Sequence, residues 1–426
     1  MLYQAIEAHL ASLTPARLTA RWMHQMMSHP MLPHSYTTGF RAAAAWFELF
    51  DRATQRHLKP AFGLDATLID DQPVAVREQV VVEKPFCRLL HFARDLRLPR
   101  NDPHVLVVAP MSGHHATLLR GTVETLLPAH EVYITDWTDA RLVPLSAGGF
   151  DLADYIDYIV DFLRVLGPET HVMAVCQPSP PVLAATALMA ANGDVATPKS
   201  LTLMGGPVDT RVSPTAVNHV GASQSLDWFE RKVIDLVPPH YPGAMRRVYP
   251  GFLQLGGFMS MNPDRHMQSH IDFFHHLVVG DGESAAGHRR FYDEYLSVMD
   301  LSADFYLDTI RHVFQEHSLS IGTFTHRDEK VEPAAIRNTA LMTIEGELDD
   351  ISGEGQTRAA HALCTGVAAK EREHLTVDGA GHYGIFSGRR WRTQVYPQVQ
   401  SFIARHSAPA APARGSKRKA ITRRKP

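Results

Sequence analysis

The stretch His171-Val172-Met173-Ala174-Val175-Cys176-Gln177-Pro178-Ser179-Pro180-Pro181-Val182-Leu183-Ala184 decides how this chain is read. Val172 to Val175 is a short continuous apolar run, the mark of a strand buried on both faces of a sheet. Val182 to Ala190 is a run of Ala, Leu and Met of helical character. Cys176 stands where the strand stops and the helix begins. A sharp strand-to-helix corner of this kind lifts its central side chain clear of the sheet, where a nucleophile can work. The frame is that of G-x-S-x-G, but cysteine replaces serine, and Ala174 and Pro178 stand where the glycines would be. The corner is either a thiol acyl-transfer site or a similar turn around a buried cysteine.

The flanking sequence sets the corner in a regular rhythm. His104 to Ala109 is an apolar run, followed by the loop Pro110-Met111-Ser112-Gly113-His114-His115 and a predicted helix from Ala116 to Leu127. Glu131 to Thr135 is the next predicted strand. Leu152 to Leu166 follows as an amphipathic helix closed by Gly167-Pro168. After the Cys176 strand and helix comes Ser200 to Met204, ending in Gly205-Gly206-Pro207. Alternation of strand and helix predicts the α/β class, a mostly parallel, doubly wound sheet with right-handed crossovers. The rhythm lapses from about 212 to 338, a stretch rich in Trp, Tyr, Phe, Met and His that reads as helices without strands. It resumes with a strand at Ala340 to Ile344, a helix around Gly355 to Cys364, a strand at His374 to Val377 and a final helix from Trp391 to Arg405. This is the layout of an α/β-hydrolase fold with a helical cap insertion at 212–338.

Outside that body lie two other regions. Residues 1–95 read as a mostly helical N-terminal region, with apolar spacing at Ile6, Leu10 and Leu13 and a dense segment from Phe40 to Phe50; Val80 to Val82 is a candidate short strand. The catalytic body runs from 96 to 406. From 407 to 426 the chain carries seven Lys/Arg and no acid, and is expected to be a disordered basic tail. With −3 for the whole chain, those seven cations leave the rest at −10. Such a tail is a solubilising terminus or a tether to something anionic, and it is the only feature that admits nucleic acid as a partner.

Hydrophobic content of 45% and charged content of 20% fit an ordinary globular protein. Three widely spaced cysteines, Cys87, Cys176 and Cys364, argue against a disulfide framework and for a reducing compartment. The segment Met1-Leu2-Tyr3-Gln4 lacks a basic region before an apolar core, so no signal peptide is expected. No apolar run approaches the roughly 20 residues of a membrane span. A cytoplasmic location is expected. The cysteines lack metal-ligand spacing, and neither phosphate-binding glycine motif occurs in a fitting context, so no metal and no bound nucleotide are expected.

A thiol nucleophile needs a base, an acid to orient it and N–H donors for the oxyanion, in the chain order nucleophile, acid, histidine. After the strand Ala340 to Ile344 comes Glu345-Gly346-Glu347-Leu348-Asp349-Asp350. Spacing favours Asp349 as the acid, with Asp350 as its rival. After the strand His374 to Val377 comes Asp378-Gly379-Ala380-Gly381-His382, where glycines let the loop bend His382 back over the sheet. The oxyanion donors are expected to be the amides of Gln177 and Met111, with Ser112 as the alternative to Met111. His114 and His115 either line the pocket or are exposed loop residues. Ser179 is a weak rival nucleophile, set a turn into the helix, and Cys87 and Cys364 are expected to be inert.

Val175-Cys176-Gln177-Pro178, with Pro180 and Pro181, resembles the cysteine box of intracellular polyhydroxyalkanoate (polyhydroxybutyrate) depolymerases. So do Lys84-Pro85-Phe86-Cys87, Gly205-Gly206-Pro207-Val208-Asp209 and Gly381-His382-Tyr383-Gly384-Ile385-Phe386-Ser387-Gly388. The likeness runs from about 35 to 405. It implies an α/β-hydrolase acting on amorphous poly(3-hydroxybutyrate) at the surface of cytoplasmic granules, with Cys176 as nucleophile, His382 as base and Asp349 as orienting acid. It implies release of 3-hydroxybutyrate or oligomers, no prosthetic group, and coenzyme A as an alternative acyl acceptor to water. Two other readings remain: a polyhydroxyalkanoate synthase, against which the prolines of the box speak, and a non-catalytic granule or nucleic-acid binding protein.

Overall fold

A computed structural model describes residues 2–98 and 100–407. Two long helices open the chain, α1 (Leu2–Met27) and α2 (Thr38–Thr54). Three antiparallel strands follow, β1 (Ala66–Ile69), β2 (Gln72–Lys84) and β3 (Cys87–Arg94). This corrects the reading of 1–95 as a helical region: 66–94 joins the central sheet, so a boundary at 95 falls inside it. The expected strand at Val80 to Val82 is the middle of β2, where a register shift marks a bulge.

The alternating part carries β4 (His104–Val108), α3 (Arg120–Leu126), β5 (Glu131–Trp137), α4 (Leu152–Leu166), β6 (Thr170–Val175), α5 (Ser179–Ala191) and β7 (Ser200–Met204). Helix α3 is preceded by a 3-10 turn over Ala116–Leu119, so the helix expected from Ala116 is α-helical only from Arg120. Helix α4 starts on a capping box, in which Asp151 accepts from the Asp154 N–H at 2.8 Å and Asp154 accepts from the Asp151 N–H at 3.0 Å. It ends at Gly167, whose positive φ of +85 suits glycine and whose N–H donates to the Leu163 carbonyl at 2.8 Å.

Residues 205–339 leave the sheet. Three helices dominate them, α6 (Gly251–Met261), α7 (Pro263–Val279) and α8 (Gly282–Tyr295), and α2 packs on α7. The cap, expected from its sequence to be helices without strands, also holds short strands. Arg247–Tyr249 pairs on one side with Asp235–Leu236 and on the other with Leu301–Ser302, and a hairpin joins Thr325–His326 to Glu329–Lys330. Strands of two or three residues are too short to leave a periodic signal.

The chain returns as β8 (Ala340–Gly346) and β9 (Arg372–Val377), then α9 (Tyr396–Ser407), which a π-turn over Trp391–Val395 precedes. Only Ala360–Leu363 is helical in the segment expected as a helix from Gly355 to Cys364. Ser407, the first residue of the expected tail, ends α9; the expected disordered segment beyond it, 408–426, lies outside the described residues. The nine strands order as β1-β2-β3-β5-β4-β6-β7-β8-β9. From β5 to β9 all neighbours are parallel. Strands β4, β6, β7 and β8 form the middle of the sheet, buried almost throughout, and their C-terminal ends share one edge with that of β9.

Candidate active site

The site is built from those strand ends. Val175, the last residue of β6, pairs with Met204 of β7. The next residue, Cys176, takes φ +69. For a residue with a β-carbon this left-handed conformation costs roughly 1–2 kcal/mol, and surrounding bonds must hold it. They do: the Cys176 N–H donates to the Met204 carbonyl at 2.7 Å, and the Ser179 N–H donates to the Cys176 carbonyl at 3.0 Å. Pro178 caps α5, with Ser179-Pro180 as its first turn, where no N–H is needed for the helix.

The glycines missing from the corner are found on the loop facing it. A β-carbon on Gly206 would stand 2.7 Å from the Cys176 carbonyl oxygen and inside the Ser179 side chain. Gly205, at φ +55, lies against His382 and Asp349; a β-carbon there would come within 3.3 Å of each. Room for the turn comes from β7, so Ala174 and Pro178 need not be glycine.

His382 follows β9 on a 3-10 turn and is buried. Its Nδ1 bonds Asp349 Oδ2 at 2.7 Å, and Cys176 lies close enough for its charge to act on the ring. Burial opposes a charge on His382, but the Cys176 and Asp349 charges and the Asp349 hydrogen bond outweigh it and raise its pKa well above the ordinary histidine value. Asp349 sits past β8, its Oδ1 accepting from the Ile351 and Ser352 N–H groups at 2.9 and 2.8 Å. Its rival Asp350 is exposed and accepts only from Asn262 Nδ2, at 3.3 Å, among the bonds recorded for the described residues. The structure therefore brings together Cys176, His382 and Asp349, and leaves Asp350 outside.

The other sequence candidates fall elsewhere. Ser179 is buried against Gly206. Cys87 is buried beside Asp136, and burial with that charge pushes its thiol well above the usual range; burial pushes Cys364 up to about 12. His114 is no exposed loop residue. It is buried, with Nε2 at 3.0 Å from the Tyr295 carbonyl of α8 and its ring against Phe258 of α6. Burial lowers its pKa to about 4. His115 is buried too, and its pKa falls to about 3.

Met111, the expected second oxyanion donor, is buried at the end of β4. Its N–H donates to Oε1 of the Gln177 side chain at 3.2 Å. The loop carrying it is tied to the cap: Gln254 of α6 donates to the Ser112 carbonyl, and the Met299 N–H donates to the Gly113 carbonyl at 2.7 Å. Glu345 was missed by sequence reasoning. It is buried at the end of β8 and accepts from the N–H groups of Gly355, Thr357 and Arg358 at 2.7 to 2.9 Å, holding the loop after Asp349. Only an acid inside an apolar strand signalled it.

A cavity of about 830 Å³ opens on the same sheet edge, beyond β5, lined by Lys59, Arg88, His115, Asp136 and Arg141 among others. It contains no member of the Cys176 cluster. Its cations are spoken for, since Lys59 and Arg88 share Asp136, and Arg141 meets Asp139 at 2.6 Å. It reads as an ion-paired seam rather than as the reactive site. Among the described residues no group of three or more His, Cys, Asp or Glu could hold a metal ion, and no helix is long and apolar enough to cross a membrane.

The strand order, and a thiol, a carboxylate and an imidazole after β6, β8 and β9, define an α/β-hydrolase. Residues 205–407 match the family model described as PHB de-polymerase C-terminus. Over that segment, a little under half of the chain, it is similar to PHB depolymerases. The matched segment includes Asp349 and His382 and begins after Cys176. No curated protein matches the chain. Among solved structures it is similar to a thermophilic esterase from Thermogutta terrifontis (12% identity, 78% of this chain and 99% of the other, TM-score 0.42). Others are a monoacylglycerol lipase from Paleococcus ferrophilus (13%, 72% and 96%, 0.40) and a bromoperoxidase from Bacillus anthracis (10%, 80% and 99%, 0.43).

Proposed function

We propose that this chain is an intracellular depolymerase of poly(3-hydroxybutyrate), working at the surface of cytoplasmic storage granules through an acyl thioester on Cys176. One observation carries the reading: Cys176 is held at φ +69 on the β6–α5 corner with the His382–Asp349 pair beside it. The nucleophile in such chemistry is the thiolate, and an imidazole whose charged form is favoured by its neighbours is the group to take the thiol proton. Asp349 bonds Nδ1 and so turns Nε2 toward the sulfur.

The sulfur attacks an ester carbonyl carbon of the polymer. A C–S bond forms, and the carbonyl oxygen becomes an oxyanion facing the N–H groups of Gln177 and Met111. On collapse the ester C–O bond breaks, and His382 gives its proton to the departing alkoxide. Water, deprotonated by His382, then attacks the thioester, regenerating the thiol and releasing a 3-hydroxy acid. A coenzyme A thiol in place of water yields a 3-hydroxyacyl-CoA by the same steps. Purified protein on amorphous polymer granules is expected to release 3-hydroxybutyrate, and Cys176→Ala is expected to lower that release by at least about a thousandfold. Unchanged release by Cys176→Ala overturns the mechanism. Polymer growth from 3-hydroxyacyl-CoA assigns a synthase instead, and granule binding without turnover a non-catalytic protein.

A further inference from the structure

Gln177 has a backbone and a side chain at the site, and they pull in opposite directions. Its own N–H is one expected oxyanion donor. Its side-chain Oε1 takes the hydrogen of the other, the Met111 N–H, at 3.2 Å. The orientation of the amide is fixed by chemistry, because a backbone N–H only donates and the atom facing it must be the oxygen. The Nε2 end is buried and has no hydrogen-bond partner. One neutral bond is therefore all that is recorded holding this side chain in place. Buried amide groups without a partner are costly, so the side chain gives up little by moving.

We infer that the Gln177 side chain is a stand-in for the substrate carbonyl: it occupies the acceptor position at the Met111 N–H in the resting protein and leaves when the ester arrives. The inference rests on the proposed mechanism, which assigns that N–H to the oxyanion. One N–H hydrogen cannot serve Oε1 and a carbonyl oxygen at full strength. A neutral ester carbonyl competes with the neutral amide oxygen on nearly equal terms. A developing oxyanion does not, because a charge-assisted bond is about twice as strong as a neutral one. Turning the Gln177 side chain aside is a cost paid equally by the bound ester and by the transition state that follows it, so its signature belongs in KM with kcat little changed.

It also keeps the donor paired while the site is empty. The Met111 loop is tied to the cap through Gln254 and Met299, which hold its N–H on the Gln177 side. The loop therefore needs no rearrangement to receive the carbonyl; only the Gln177 side chain has to turn aside.

The test uses the full chain, a soluble ester (4-nitrophenyl butyrate) and two variants. Gln177→Ala removes the competing oxygen while keeping the residue's own N–H. Gln177→Glu keeps an acceptor there and makes it charged. KM is expected to fall about fivefold in Gln177→Ala, the equivalent of one net hydrogen bond, and to rise about as much in Gln177→Glu. Most of each change should lie in KM. If Gln177→Ala instead raises KM, or lowers kcat about tenfold or more, the side chain orients the Met111 amide and the inference is wrong. Hydrogen exchange at the Met111 amide, measured without substrate, gives a second readout that needs no turnover. Exchange should speed up in Gln177→Ala, and equal protection overturns the inference. Running Cys176→Ala beside these keeps the two claims apart. Ester hydrolysis that survives Cys176→Ala removes the thiol mechanism, while the Met111 exchange rates still decide the role of Gln177.

Discussion

Cys176 is one of three cysteines, and its surroundings separate it from the others. Cys87 and Cys364 are buried, which raises their thiol pKa values, whereas Cys176 is half-buried at the strand end beside His382. The coupling of His382 to its two partners has a pH signature. Its folded-state pKa is raised above the unfolded value of about 6.5, so the folded state binds a proton the unfolded chain gives up. The resulting stability is fully present below about pH 6.5 and is lost as pH rises through the folded-state value. Asp349→Asn removes one of the charges that raise it. In urea unfolding, the stability gap between wild type and Asp349→Asn should be widest near pH 6 and narrow as pH rises through the raised folded-state value. A gap that is flat or widens with pH contradicts the charged His382–Asp349 pair.

At the scale of elements, the corner depends on the strand beside it. Gly206 lies at the end of β7, and a β-carbon there meets a backbone carbonyl, Cys176 O, which cannot swing aside as a side chain would. Gly206→Ala should therefore cost about 1–3 kcal/mol of stability and lower turnover together with it. A variant as stable and active as wild type would show that the corner has slack. This contact explains which parts of the site were legible in the sequence. Strands β4, β6 and β7, with helix α4, announce themselves because they are buried or sharply amphipathic, and the order of Cys176, Asp349 and His382 follows from the strand ends. Preference for Asp349 over Asp350 came from spacing alone; the choice becomes visible only when His382 Nδ1 is seen at Asp349 Oδ2. Strand β3 escaped notice because Cys-Arg-Leu-Leu-His-Phe-Ala-Arg places Leu89 and Leu90 side by side and buries both, which breaks the period of two. The Gln177–Met111 bond joins residues 66 apart and had no signal in either segment.

Across the whole molecule, the first helix, the cap and the loop after β5 meet in one buried polar cluster. Tyr3 of α1 donates from its hydroxyl to Asp300 at 2.7 Å, Asp300 accepts from the Gly251 N–H that opens α6, and the Asp300 N–H donates to Asp139 beyond β5. Burial raises the carboxyl pKa values of both Asp139 and Asp300, and the Arg141 charge opposes that rise. The cap is thereby anchored at one end, and its α6 reaches the Met111 loop through Gln254. All of this converges on a single thiol, and the acyl-enzyme is where the account is most exposed. Mass spectrometry of the intact chain, quenched in acid during turnover of a 3-hydroxybutyrate trimer, should find one added acyl group, mapped by peptide digestion to Cys176 and absent from Cys176→Ala. Turnover with no adduct on Cys176, or an adduct that persists in Cys176→Ala, contradicts the account.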